Sequence, residues 1–296
     1  MTVPTPEKSA FDNSDVKIVI AIPARLGSTR LPRKPLASLA GRPLIVWVAE
    51  KVADCAQRLG QHISLSSSEI ITLVATDSSE IAEALKKNGI RTVMTTSELP
   101  SGTDRIEAAL SALQQSGLSL RESTLVINLQ GDEPFFCIDD IVRLAEAMQS
   151  DKSAPMGTLA FPQSSPEHFI RSSVVKVTRN ALGNALYFSR APIAWPRNLW
   201  GASDSITALS EKMQKKLESP FLQHVGIYAY RLNALRKFTQ MEPSFLELSE
   251  GLEQLRALEA GWNIKVIDAK EAPFGIDTAD DLLRAENYLN EQGQSI

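Results

Sequence analysis

The chain has 296 residues, of which 43% are hydrophobic and 22% are charged, and its net charge is -4 at pH 7. This composition is typical of a globular protein with a substantial core. The acidic balance argues against a general nucleic-acid binder, because such proteins carry an excess of basic residues. No apolar run approaches the roughly 20 residues that a membrane span needs. We therefore expect neither nucleic-acid binding nor membrane insertion.

The first 15 residues are polar and mixed in charge, and they contain no apolar signal segment. This pattern predicts a disordered leader over residues 1–15 of a cytoplasmic protein. The two cysteines, Cys55 and Cys137, lie far apart with no paired spacing. Free thiols are therefore expected rather than a disulfide.

A cation-rich loop follows the first predicted strand. The apolar run over residues 16–22 indicates a buried parallel strand, and Arg25, Arg30, Arg33 and Lys34 come after it together with a glycine and two hydroxyl residues. Such a loop suits a polyanion, for example a triphosphate; the alternative is a solvated basic loop. We favour the anion site because open α/β sheets bind ligands where their strands end. Neither common glycine-rich phosphate motif is present.

Strand and helix patterns then alternate to about residue 160. Strands are predicted over 70–75, 91–94 and 125–129, helices from residue 42 and over 80–88, 101–115 and 139–148, and an extended connection over 59–68. This alternation predicts a doubly wound, mostly parallel sheet with flanking helices. Because parallel strands bring their carboxyl ends to one edge, the polar clusters 25–34, 76–77, 101–105 and 130–133 should form one site.

The second half has a mixed pattern. Strands are predicted over 157–161, 174–177, 185–188, 221–231 and 264–267, helices over 209–217, 232–238 and 245–260, and a loop over 195–205. The segment 275–278 is predicted to open a final helix that runs to about residue 289. No linker separates two autonomous domains. We therefore predict a single domain over 16–296, with a core of about 16–160 and 262–296 and an inserted mixed α/β lobe of about 161–261.

Two carboxylates are candidate metal ligands. Asp132 follows a predicted strand, where it is either a ligand for Mg²⁺ or a turn residue. Asp277 lies between a strand and a helix, where it is either a ligand or the N-cap of the helix. If both converge, a metal spanning them and an α-phosphate would serve nucleotidyl transfer. The basic loop would then hold the outer phosphates and stabilise departing pyrophosphate.

The predicted strand 221–231 carries a second candidate group. Tyr228 has the same strand phase as His224, so the two share a face that could bind a polyhydroxylated or carboxylated ligand. The alternative is that His224 is an ordinary core histidine. Glu253 and Gln254 fall on a predicted helix, where the alternative is that both are ordinary polar residues exposed to solvent.

An ordered series of motifs between Val16 and Glu286 resembles the CMP-Kdo synthetases, the 3-deoxy-manno-octulosonate cytidylyltransferase family. One such motif would be weak evidence, whereas the whole series in order is specific. The motifs are IPARLGSTRLPRKPL at 22–36, VATD at 74–77, SGTDR at 101–105, NLQGDEP at 128–134, ALYFSRAPI at 185–193, HVGIYAYR at 224–231, LEQLRALEAG at 252–261 and GIDTADDL at 275–282.

The resemblance implies a Rossmann-like nucleotidyltransferase core with a smaller lobe for sugar binding and dimerisation. It implies a Mg²⁺-dependent homodimer that joins CTP and Kdo, giving CMP-Kdo and pyrophosphate for lipopolysaccharide biosynthesis. The nucleotide-binding residues it implies are Ala24, Arg25, Ser28, Arg30, Lys34, Ser101, Gly102, Arg105 and Gln130. The catalytic residues it implies are Lys34, Asp132 and Asp277, of which the two aspartates are also the metal ligands. The sugar-binding residues it implies are Arg105, Gln130, His224, Tyr228, Glu253 and Gln254.

The chain also departs from the family pattern. Arg33 stands where the family usually has glycine, Leu99 lies near a position often occupied by histidine, and Ser172-Ser173 replace an asparagine-containing segment. The stretches 1–15, 59–68 and 200–219 look longer than usual. These departures leave 8-amino-Kdo or another acid sugar, such as a sialic acid, as alternative substrates. A non-catalytic nucleotide-binding regulator is a third hypothesis, against which both carboxylates argue.

Overall fold

A computed structural model describes residues 15–27, 30–201, 217 and 220–292. Most of the predicted leader, Ser28, and nearly all of the predicted helix 209–217 lie outside these ranges. The strands are β1 (Val16–Ala24), β2 (Ser38–Leu39), β3 (Arg42–Pro43), β4 (Ile70–Thr76), β5 (Thr92–Met94), β6 (Leu120–Asn128), β7 (Met156–Gln163), β8 (Lys176–Arg179), β9 (Ala185–Ser189), β10 (Phe221–Arg231) and β11 (Ile264–Asp268). The helices are α1 (Leu44–Ile63), α2 (Ser79–Lys86), α3 (Gly102–Gln115), α4 (Ile138–Ser150), α5 (Pro166–Ile170), α6 (Arg197–Trp200), α7 (Leu232–Thr239), α8 (Phe245–Glu250), α9 (Gln254–Glu259) and α10 (Ala279–Glu291), with a short 3₁₀ helix over Lys34–Leu36.

The chain folds into two compact units. The first comprises the described residues up to Val142, together with Ala229–Thr239 and the described residues from Pro273 onward. The second comprises the described residues of Arg143–Tyr228 and Gln240–Ala272. The predicted division into a core and an inserted lobe remains a prediction.

The strands of the first unit lie in the order β6-β1-β4-β5. β1 runs parallel to both β4 and β6, so that Ile18 pairs with Ile70 on one side and with Leu125 on the other. Its residues Ile18, Val19 and Ile20 are fully buried, as expected for a central parallel strand covered on both faces. The predicted mostly parallel sheet with flanking helices is confirmed.

Helix α1 is longer than its sequence pattern indicates. It continues to Ile63, so the predicted extended connection is wrong over residues 59–63. Gly60 is a site of close packing here, because a Cβ on it would lie 3.0 Å from the carbonyl oxygen of Leu65. The helix ends at Ser64, which is left-handed with φ 57° and whose N–H donates to the carbonyl of Gly60.

The second unit is a mixed α/β structure. β7 and β11 are parallel, whereas β8 pairs antiparallel with both β9 and β10. The predicted helix 245–260 is in fact two helices, α8 and α9, because Gly251 adopts φ 63° and ends α8. The predicted loop from residue 195 contains the short helix α6, and residues 202–205 lie outside the described ranges.

Two further expectations can be compared with the structure. Neither Cys55 nor Cys137 forms a disulfide, in agreement with the prediction from their spacing. Among the described helices, none combines the length and the apolar character that a membrane crossing requires.

Candidate active site

Lys34 joins the two predicted metal-binding carboxylates. Its ammonium group donates to Oδ1 of Asp277 at 2.9 Å and also to Oδ2 of Asp132. Arg30 approaches from the same loop, with Nη2 lying 3.0 Å from Oδ2 of Asp277. The structure therefore brings together residues from three segments that are distant in sequence, and all of these segments belong to the first unit.

The backbone around both carboxylates explains this convergence. The N–H of Ile276 donates to the carbonyl oxygen of Asp132 at 2.9 Å, which ties the two acidic segments to each other. Gly131 allows the turn after β6 to approach β1, since a Cβ there would lie 3.2 Å from the carbonyl oxygen of Pro23. The segments that carry Asp132 and Asp277 are thus fixed by main-chain contacts as well as by Lys34.

Asp277 does not cap a helix. Thr278 is the N-cap of α10 and forms a capping box with Asp281, whose carboxylate also accepts the N–H of Asp277. The N-cap alternative for Asp277 is therefore wrong, and its carboxylate is available to Lys34 and Arg30.

The charges of this cluster influence one another. Burial would lower the pKa of Lys34, but the carboxylates of Asp132 and Asp277 outweigh it and raise that pKa, so the ammonium stays charged. Burial, followed by repulsion from the same two carboxylates, raises the pKa of Glu133 to about 8. Glu133 is therefore mainly protonated near neutral pH. The sequence analysis did not single out Glu133, although its position directly after Asp132 in the GDEP motif was the available signal.

Whether this cluster could hold a metal ion depends on the donor atoms that its side chains offer. No set of three or more His, Cys, Asp or Glu side chains suited to a metal is found among the residues that the structure describes. Mg²⁺, however, is usually held by one or two carboxylates together with substrate phosphates and water. Asp132 and Asp277 both reach the same ammonium group, so their carboxylates are close enough for one cation and fit such a site.

Arg105 is buried, unlike an exposed residue whose side chain is open to a ligand. Its side chain is 2% exposed. It donates to Asp77 Oδ2 at 3.0 Å, to Thr95 Oγ1 at 2.5 Å and to the carbonyl oxygen of Thr96 at 3.2 Å. The predicted polar clusters 76–77 and 101–105 thus meet, but within the chain Arg105 already makes several hydrogen bonds. Its role in binding the substrates remains a prediction.

The other predicted nucleotide residues lie near the ends of β1, β6 and α3. Ala24 is the buried last residue of β1, Arg25 is exposed, and Gln130 is partly buried. Ser101 caps α3 by accepting the N–H of Asp104. A Cβ on Gly102 would lie 3.0 Å from Cγ of Pro23, so this glycine permits close packing of α3 on β1.

Arg33, the fourth cation of the loop, is engaged elsewhere. Its guanidinium donates to both carboxylate oxygens of Glu80 on α2, at 2.5 and 3.2 Å. Its backbone is left-handed, with φ 55°. This conformation favours glycine, which gives a physical reason for the glycine usual in the family.

The predicted sugar-binding residues of the second unit form a separate group. Nε2 of His224 lies 3.0 Å from Oγ1 of Thr158, and the imidazole centroid is 5.4 Å from that of Tyr228. Tyr228 donates its hydroxyl to Oε1 of Gln254 at 3.1 Å. Burial lowers the pKa of His224 to about 3, so the ring is neutral at physiological pH. Sequence reasoning missed Thr158, since nothing in its strand distinguished it.

Gln254 is not a surface residue. It is 2% exposed, and among the described residues its Nε2 has no hydrogen-bond partner. A buried donor without an acceptor is costly, and a ligand oxygen would remove that cost. The surface alternative is therefore wrong for Gln254, whereas Glu253, just before α9, is partly buried.

Comparisons with known proteins agree on one family. A family model described as cytidylyltransferase matches residues 18–267. A protein of Bdellovibrio bacteriovorus named 3-deoxy-manno-octulosonate cytidylyltransferase is 42% identical over 278 residues, covering 94% of this chain and 100% of the relative. A protein of the same name from Idiomarina loihiensis is 41% identical over 277 residues, covering 93% and 100%.

A solved structure supports the same relationship. It is described as CMP:2-keto-3-deoxy-manno-octonic acid synthetase complexed with CTP. It superimposes with a TM-score of 0.74 at 35% sequence identity, and the match covers 93% of this chain and 99% of the other.

Proposed function

The chain belongs to the cytidylyltransferase family, and we propose that it transfers CMP from CTP to the anomeric hydroxyl of Kdo, giving CMP-Kdo and pyrophosphate. The observation that carries this proposal is the ammonium of Lys34 held between the carboxylates of Asp132 and Asp277, with Arg30 beside them. This arrangement combines metal ligands with phosphate-binding cations. The names of the relatives support Kdo as the sugar.

The reaction is an in-line displacement at the α-phosphate. The anomeric hydroxyl oxygen forms a bond to the α-phosphorus, the bond from that phosphorus to the bridging oxygen breaks, and pyrophosphate leaves with the electron pair while the hydroxyl proton is released. Asp132 and Asp277 would hold Mg²⁺, which when bound neutralises phosphate charge and orients the phosphates. Lys34, Arg30 and Arg25 would bind the outer phosphates and stabilise the charge that builds up on pyrophosphate.

The acid sugar is assigned to the group in the second unit. His224, Tyr228, Glu253 and Gln254 offer hydrogen-bonding groups, and the unpaired Nε2 of Gln254 suits a sugar oxygen. A neutral His224 can donate or accept a hydrogen bond without adding charge. These properties fit a polyhydroxylated ligand, which is why we propose this group rather than the cationic loop as the sugar-binding site.

We also propose a homodimer in the cytoplasm, where CTP is available. The family resemblance supports the dimer. Exposed apolar side chains of the second unit give further support, because such side chains are candidates for burial between protomers. They are Leu182, Leu186, Phe245 and Leu248, each at least 60% exposed.

The first test measures pyrophosphate release from CTP and Mg²⁺ with Kdo, 8-amino-Kdo or a sialic acid. Release with Kdo is expected. Preference for another sugar would replace the proposed substrate, and CTP binding without release under any sugar would favour a regulator.

A second test changes the carboxylates. Asp132→Asn and Asp277→Asn should each lower kcat/KM by at least about 100-fold, because each removes charge from the metal and phosphate site. Asp280→Asn is the matched control, since Asp280 is an exposed carboxylate in the first turn of α10, and it should leave turnover unchanged. Full activity of Asp132→Asn would contradict the proposed mechanism.

A further inference from the structure

The position of Gln254 depends on the break between α8 and α9. α8 ends at Gly251, and α9 begins three residues later at Gln254. Gln254 accepts the hydroxyl of Tyr228, and its Nε2 is the buried donor described above. A change in the path of residues 251–253 would therefore move this amide away from Tyr228.

The side chain of Arg190 bridges this break. Its Nε donates to the carbonyl oxygen of Glu250 at 2.7 Å, and its Nη2 donates to that of Gly251 at 3.3 Å. Its Nη1 donates to the carbonyl oxygen of Ser172 at 3.0 Å. The last carbonyls of a helix lack donors from their own helix, so the guanidinium supplies donors to the end of α8 and also joins it to another segment.

Arg190 is itself fixed by its neighbours. Its backbone N–H donates to Oε2 of Glu250 at 2.9 Å, and the hydroxyl of Ser189 donates to Oε1 of the same carboxylate at 2.6 Å. Its carbonyl oxygen accepts from the ammonium of Lys176 at 2.5 Å. Lys176 is fully buried. The arginine is thus anchored at both its backbone N–H and its carbonyl while its side chain reaches the break.

We propose that Arg190 is a positioning residue for the sugar-binding group: its guanidinium fixes the path between α8 and α9 and thereby orients Gln254 toward the acid sugar. This inference rests on the proposed function, because it assumes that Gln254 contacts the sugar. Lysine could not replace arginine here. Its single ammonium cannot reproduce the planar fork that reaches three carbonyl oxygens.

The test compares Arg190→Lys and Arg190→Gln with the wild-type enzyme in steady-state kinetics. Each should raise the KM for Kdo roughly five- to tenfold, as expected for the loss of hydrogen bonds that orient a ligand contact. The KM for CTP should change less than about twofold. Equal rises in both KM values would overturn the proposal.

Arg179→Gln is the matched control. Arg179 lies in the same unit and also joins segments through hydrogen bonds, to the carbonyl oxygen of Val266 at 3.0 Å and to Asp268 at 3.1 Å. Its loss should lower stability without the selective rise in the KM for Kdo. The same selective rise in this control would mean that any loosening of the unit suffices, which would overturn the role of Arg190.

Two additions keep the outcome decisive. If the Arg190 variants do not fold, Glu250→Gln should produce the same selective rise in the KM for Kdo, because it weakens the contact that holds the Arg190 backbone. An unchanged KM for Kdo would then overturn the proposal.

If the wild-type enzyme turns over no Kdo, the proposed function fails. Amide hydrogen exchange at residues 251–256 is then compared, and it should be faster in Arg190→Lys than in Arg179→Gln. Equal exchange rates would overturn the positioning role.

Discussion

At the scale of single residues, His224 is held neutral by its surroundings. It lies between Thr158, Tyr228 and Phe188, whose ring centroid is 5.1 Å from that of the imidazole. An uncharged imidazole can donate one hydrogen bond to a hydroxyl group and accept another, whereas an imidazolium can only donate. The environment that would suit the ring to the proposed sugar ligand therefore also makes its protonation unfavourable.

This environment makes folding stability depend on pH. The pKa of His224 is lowered from 6.5 to about 3 in the folded chain, so below about pH 6.5 the unfolded chain binds a proton that the folded chain does not. Stability should therefore fall as the pH falls from about 6.5 toward 3, on the order of 1 kcal/mol per pH unit at most. His224→Gln should remove this contribution, as measured by urea unfolding at about pH 7.5 and about pH 5.

The control for this prediction is His168→Gln. His168 belongs to the same unit and lies 3.0 Å from Gln163 through Nδ1. If both variants lose acid sensitivity equally, or neither does, the neutral state of His224 is not the source of the effect.

At the scale of elements, the loop after β1 combines backbone strain with an ion pair. Arg33 adopts φ 55° directly before the 3₁₀ helix that carries Lys34, and its guanidinium binds Glu80 on α2. Left-handed backbone costs a non-glycine residue about 1–2 kcal/mol, while a fully exposed ion pair contributes little, because water screens both charges. The conformation of the backbone therefore matters more to stability here than the ion pair.

A pair of substitutions separates the two effects. Arg33→Gly and Arg33→Ala both remove the ion pair, but only glycine relieves the left-handed strain. We expect Arg33→Gly to be more stable than Arg33→Ala by about 0.5–1 kcal/mol in urea unfolding, after allowing for the greater entropy of glycine in the unfolded chain. Glu80→Gln measures the ion pair alone. Equal stabilities of the glycine and alanine variants would contradict the strain at this position.

Sequence patterns identified most of these elements because their signals were local. Alternation of apolar runs and helical spacing predicted β1, β4 and α3, and strand phase placed His224 and Tyr228 together. The failures have separate causes: the serine-rich composition of 59–68 indicated a connection where α1 continues to Ile63, and the predicted helix 245–260 was extended across Gly251, which ends α8. The contacts of Lys34 with Asp132 and Asp277, and of Arg33 with Glu80, join distant positions, so no local pattern could reveal their geometry.

At the scale of the whole molecule, the net charge of -4 hides a local concentration of cations. Arg25, Arg30, Arg33 and Lys34 lie within ten residues, yet Glu80, Asp132 and Asp277 balance three of them. An acidic protein can thus bind a polyanion at one place without attracting nucleic acid over its surface.

The proposed dimer is a property of the whole molecule. Light scattering coupled to size exclusion should give about twice the 32.4 kDa chain mass. Leu186→Glu and Phe245→Glu should shift the mass toward the monomer, because a charge in a buried apolar interface is unfavourable. Leu283→Glu, an exposed leucine of α10 in the first unit, is the control. A monomeric wild-type protein would exclude the dimer.

The capping of α10 has a consequence for how this enzyme can change. Thr278 and Asp281 close the end of the helix by themselves, so neighbouring Asp277 contributes little to holding the helix in place. In the proposed mechanism, catalysis and helix capping depend on adjacent but different side chains. We therefore expect a substitution at Asp277 to abolish turnover while leaving a well-folded protein, whereas a substitution at Thr278 would first destabilise the fold. At this point of the chain, loss of activity and loss of structure are separable events.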